Sequence, residues 1–165
     1  MPVHSDFFFY VSALVIGVVA GMRTLMAPAI FSLTLSRRPE LAPVTIPAQW
    51  FMLHGIAIIL GLGALGELVV DKLRRTPNRT SLGPFVARIV SGAITGAAIV
   101  EMGQLNPWGG AALGATGAVI GAFGGFHARR FAGRKTGISD PFLGALEDVI
   151  AIAIAVTVVA QLAGL

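Results

Sequence analysis

Between Trp50 and Val70 the chain carries one formal charge, at Glu67, and it then runs through Asp71 and Lys72 into the basic, proline-broken stretch Arg74-Arg75-Thr76-Pro77-Asn78-Arg79-Thr80. About 20 apolar residues is the length a helix needs to cross the hydrocarbon core of a bilayer. The run therefore reads as a membrane span whose carboxylates, Glu67 and Asp71, sit within or at the edge of lipid. Composition supports this: 55% of residues are hydrophobic, only 12% are charged and the mean hydropathy is +0.82, against roughly a quarter charged in a soluble domain. At 165 residues there is room for about five spans with short connections and none for a separate soluble domain. The expected fold is all-α: a polytopic membrane helix bundle of about five transmembrane helices, packed through glycine, with residues 1–165 as a single transmembrane domain.

Cysteine is absent, which excludes a disulfide, a thiolate nucleophile and a thiolate metal site. The net charge of +4 could suggest nucleic acid, but the basic residues cluster in loops beside apolar runs, the pattern of cytoplasmic loops. Residues Met1 to Asp6 include an acid and a histidine and no basic residue, so the first apolar segment reads as a retained helix rather than a signal peptide.

That first segment, Phe7 to Leu35, is longer than one span requires and contains Arg23 and Pro28. Proline removes a backbone donor and crowds the preceding turn, so Gly21 to Pro28 is expected to kink or break. The favoured expectation is a single kinked, tilted span with Gly17 and Gly21 packed on a neighbour. Prolines 39, 43 and 47 make an extended connection. The second span, Trp50 to Lys72, has Gly55, Gly61, Gly63 and Gly66 and is expected to be central, since small residues let helices approach closely. Pro84 opens a third span that carries Arg88, a Gly92/Gly96 face and Glu101. Asn106-Pro107 turns into a glycine- and alanine-rich fourth, and Pro141 starts a fifth with Glu147-Asp148 about two turns inside.

A shift of 55 residues lays Gly55 over Gly110, Gly66 over Gly121 and Arg74-Arg75 over Arg129-Arg130, which suggests a parallel duplication of spans two and four. With five spans, Lys72, Arg74, Arg75, Arg79, Arg129, Arg130, Arg134 and Lys135 share one side, which the positive-inside rule makes cytoplasmic. The N-terminus is then cytoplasmic and the C-terminus outside. A split or re-entrant first segment would change the span count and could move the N-terminus, leaving both basic loops inside.

Seven charged residues fall in or at the edges of apolar spans: Arg23, Glu67, Asp71, Arg88, Glu101, Glu147 and Asp148. A charge at the bilayer centre costs about 2.5–3.5 kcal/mol on insertion scales, so such residues face the bundle interior and need partners. By depth, Glu67, Asp71, Arg88, Glu147 and Asp148 share a layer near the cytoplasmic side. Arg23 and Glu101 are expected deeper or towards the outer leaflet, where they could pair. The layer could form a pathway for a cation or proton, with Arg88 fixing geometry or binding an anionic group, or it could be a set of ion pairs tying helices together. His54 and His127 have no second histidine at ligand spacing and are expected in packing or interfacial roles. Ser12, Ser91 and Thr95 have no base at recognisable spacing, so no catalytic residue is assigned. No cofactor is expected, and the sequence leaves a metal site undetermined.

Gly21-Met22-Arg23-Thr24, the stretch from Glu67 to Thr80, Arg88-Ile-Val-Ser-Gly-Ala and Leu146-Glu147-Asp148 together resemble a bacterial integral-membrane family catalogued only as a domain of unknown function. The resemblance covers most of the chain and implies a small multi-pass inner-membrane protein, with no established substrate or catalytic residue. The favoured function is a transporter or channel for a small ion or solute. A homo-oligomer in contact with membrane lipids and without nucleic acid is expected, because so few short helices scarcely enclose a pathway alone. The alternatives are a non-catalytic membrane scaffold or lipid-interacting protein, and an intramembrane enzyme on a lipid phosphate, which would want carboxylate-bound magnesium beside a basic residue.

Overall fold

A computed structural model describes residues 5–41, 46–70 and 82–165. Among these the chain is all-helical: α1 (Asp6–Met22), α2 (Met26–Leu35), the short α3 (Ile46–Gln49), α4 (His54–Val70), α5 (Leu82–Met102), α6 (Pro107–Thr136) and α7 (Asp140–Leu162). Helices α5, α6 and α7 are long and apolar enough to cross a membrane, whereas α1, α2 and α4 are apolar but shorter. Local chemistry sets several ends. Asn106 caps α6 by accepting from the Trp108 amide, with Pro107 in the first turn, where a missing N–H costs nothing. Gly137, at φ 67°, closes α6 in the left-handed conformation that an L side chain resists.

The centre of the bundle is α1, α5 and α6, joined through glycine. Tyr10 lies against Gly109, Gly17 against Gly114 and Met22 against Gly125, so α1 and α6 run parallel. Gly96 faces Gly110 and Gly92 faces Gly114, so α5 runs antiparallel to both. A Cβ on Gly17, Gly114, Gly117 or Gly121 would collide with the backbone of the neighbouring helix. So close an approach of two backbones packs them by dispersion between many atoms in contact.

Helix α7 starts beside the end of α6, Leu143 near Gly133 and Glu147 against Gly125, and runs back along the bundle. Its Ala151, Ala155 and Val159 join Ile16, Val19, Phe31 and Ile99 in the core. Contrary to the expectation from its glycines, α4 is peripheral. It packs on α2, and a Cβ on Gly55, Gly61 or Gly66 would meet nothing within 4 Å. Ile58, Leu62, Leu65 and Val69 are exposed along it. The two helices related by the 55-residue shift thus run the same way but occupy different surroundings.

The first apolar segment is a hairpin rather than one kinked span. α1 ends at Met22, Arg23 is extended (φ −141°, ψ 111°), and α2 begins at Met26. Thr24 is bonded to Ser91, and Ser32, eight residues on, donates to the Phe51 carbonyl at 2.6 Å. Ala48, just before Phe51, shares a groove with Ala98 and Glu101. α2 therefore follows α5 and returns towards the end where α1 began. On α6 the exposed rings of Trp108 (80%) and Phe131 (61%) are separated by about 35 Å at 1.5 Å per residue. That is close to the roughly 30 Å of a bilayer core.

Candidate functional site at the helix break

The break is built from Pro28 outwards. In a continuous helix the ring of Pro28 would clash with the carbonyl four residues back, that of Thr24. That carbonyl instead leaves the helix and accepts from Ser91 Oγ at 2.5 Å. Pro28 falls in the first turn of α2, where no donor is missed.

The amides freed by the break are those of Thr24 and Leu25, and they donate to Glu67 Oε1 at 2.8 Å and Oε2 at 2.9 Å. One carboxylate from α4 thus takes both donors that precede α2. Each would cost about 1–3 kcal/mol if buried without a partner. A carboxylate at a helix N-terminus also meets the positive end of its dipole. Arg23 stands at the opposite pole, where the C-terminal end of α1 favours a cation.

The Arg23 guanidinium is 2% exposed and forms an ion pair with Asp148 of α7. Arg88 is buried on α5 one turn before Ser91, on the same face. Glu147, also buried, lies against Gly125, where a Cβ would come within 2.9 Å of its Oε1, and 3.8 Å from Arg129 Nη1. Arg129 in turn grips Asp140, with Nε to Oδ1 at 2.7 Å and Nη2 to Oδ2 at 2.6 Å.

Of the residues expected in the layer, Glu67, Arg88, Glu147 and Asp148 lie around the break, and Asp71 lies outside the described residues. The expected pairing of Arg23 with Glu101 is corrected. Glu101 is ten residues beyond Ser91 on α5, about 15 Å along the axis, and it lines the groove with Ala48 and Trp108. The reason is topological: α1 reaches Arg23 only after crossing from the far end, so Arg23 belongs to the level of Asp148.

Three contributors were not singled out by sequence. Ser91 was weighed only as a nucleophile, although its spacing from Arg88 puts both on one face. Arg129 was read only among the basic residues of one side and Asp140 was not singled out, and only the register of α6 against α7 joins them to Glu147. His127 Nδ1 lies 2.8 Å from the Phe123 carbonyl, a local contact within α6. Among the described residues no three histidine or carboxylate side chains converge as they would around a cation. No family model, curated protein or solved structure matches the chain.

Proposed function

We propose that the protein is a bacterial inner-membrane transporter or channel for a proton, small ion or small solute, working through the polar layer at the α1–α2 break. The observation that carries the reading is the pair of backbone amides freed by the break and held by Glu67 of another helix. Broken helices whose ends meet charged side chains at membrane depth are how transporters build sites that must bind and release. In this reading Glu67, Glu147 and Asp148, with Asp71, are the acceptors and Arg23 and Arg88 their counter-charges. Glu101 belongs to the opposite end of the path.

The basic end of α6, and the basic stretch that follows α4 in sequence, are cytoplasmic by the positive-inside rule. Five passes with the N-terminus inside require the first segment to cross once. The return of α2 argues instead for a re-entrant α1–α2 hairpin followed by four passes, with both termini outside. Homo-oligomerisation through the open face of α4 completes the proposal, since the glycines there gain nothing from facing lipid.

Ion flux into liposomes, compared between wild type and Glu67→Gln, tests the reading. Glutamine offers the two amides one acceptor oxygen in place of two. Wild type is expected to pass at least one ion that the folded variant does not, with a loss of about tenfold or more. Undiminished flux in a folded Glu67→Gln protein would sink the proposal. The scaffold reading is favoured by one observation, that Glu67 and Asp148 are both committed to internal partners. Lost assembly with no flux for any ion would select it.

A further inference from the structure

The seam between α6 and α7 is unlike the others in the bundle. Where α6 meets α1 and α5, glycine sets backbone against backbone. Where it meets α7, glycine instead makes room for charged side chains. Gly125 admits the Glu147 carboxylate, and Gly144 admits the Arg129 guanidinium, whose Nη2, Nη1 and Cζ a Cβ would meet at 3.0 to 3.2 Å. A crevice of about 180 Å³ runs along this seam from Leu143 and Ala132 near the basic end to Met22 and Glu147 at the break. Its lining is chiefly apolar and it opens sideways between the helices, with Arg129 and Glu147 as its two charged groups and room for several waters beside them.

Arg129 stands one turn of α6 in from Ala132, between the basic end of the crevice and Glu147. It is held on the outer side by three contacts to Asp140: the two carboxylate bonds and a bond from Nη2 to the Asp140 carbonyl at 3.0 Å. On the inner side its Nη1 reaches towards Glu147. Asp140 is largely exposed while Glu147 is buried, with side-chain exposures of 75% and 8%. The guanidinium therefore bridges a surface carboxylate and the buried layer, occupying the place beside Glu147 that an entering cation would need.

We infer that the α6–α7 crevice is the route by which water, and with it a proton or small cation, reaches Glu147 from the basic end, and that Arg129, latched to Asp140, closes it. This rests on the transport reading for its purpose, but the latch is measurable without transport. Releasing Arg129 from Asp140 lets the guanidinium leave Gly144 and Glu147, and the crevice then joins the layer to bulk water. Arg129 is here a positioning residue that controls access.

The chain has no native cysteine, so a single thiol reports its own surroundings. Met22→Cys places one at the inner end of the crevice, and Ala97→Cys places a control in the groove lined by Glu101 and Trp108. The readout is the rate of modification by a membrane-impermeant trimethylammonium methanethiosulfonate added from the basic side of full-length protein in liposomes. Adding Asp140→Ala or Arg129→Gln is expected to speed labelling at Cys-substituted position 22 by tenfold or more and to leave position 97 within twofold. Unchanged rates at position 22 in both backgrounds would overturn the inference. So would an equal rise at both positions, which would mean general loosening. Selective opening in a protein that passes no ion would uphold the latch and overturn the transport reading alone.

Discussion

Arg23 and Asp148 form an ion pair where both are buried. Removing one member of a buried pair strands a charge at about 3–5 kcal/mol, whereas replacing both with apolar side chains of similar size is often nearly neutral. Arg23→Met and Asp148→Leu are each expected to lower stability in detergent by amounts in that range. The double variant should lose less than the sum, with a coupling above about 1 kcal/mol in a double-mutant cycle. Additive losses would mean that the pair is not the unit. That Arg23 needs a partner inside the bundle was legible from one arginine in an apolar run, because lipid cannot solvate it. Which carboxylate answers it was not, since Asp148 is 125 residues away in sequence and distance along the chain says nothing about depth.

Glycine means opposite things on α6 and α4. On α6, Gly114 touches the backbone of α5, and a Cβ there would strike the Gly92 carbonyl and come within 3.2 Å of Gly96 Cα. Gly114→Ala has no flexible side chain to push aside, so it is expected to cost about 1–3 kcal/mol through displaced helices. On α4, Gly61 has open space, and alanine is the better helix former by roughly 0.8–1 kcal/mol. In a single chain Gly61→Ala should be neutral or stabilising in the same unfolding assay, whereas in the homo-oligomer proposed above, where a second copy covers this face, it should cost stability as Gly114→Ala does. The Gly17/Gly21 and Gly92/Gly96 spacings were read correctly as packing faces. On α4 only Gly63 packs, against Leu25, while Gly55, Gly61 and Gly66 face open space; spacing identifies a smooth face without saying whether anything lies against it.

Across the whole molecule the decisive feature is the direction of α2. If the hairpin is re-entrant, an even number of crossings leaves both termini on one side of the membrane. Cysteine tags on the N- and C-terminal residues should then react with an impermeant thiol reagent from the same face of sealed vesicles. The position 135–136 region, beside Lys135, should react from the other. Tags that react from opposite faces would mean that the first segment crosses once. Pro28 marked the place of the break from sequence alone, since its ring cannot follow Thr24 in a continuous helix. The turn back was invisible, since it depends on Glu67 and Ser91 taking up the backbone groups that the break releases.

Helicity, the apolar class, the basic end and the need to partner each charge within an apolar run followed from sequence alone. They depend on local quantities: run length, proline geometry and the cost of a charge in lipid. Tertiary structure alone decided that α6 rather than α4 is central, that α2 returns, and that Glu67, Ser91 and Asp148 gather around one break. Those outcomes depend on which surfaces meet and at what depth, and apolar helices that look alike in composition can be set against one another in many registers before backbone contacts and freed amides select one.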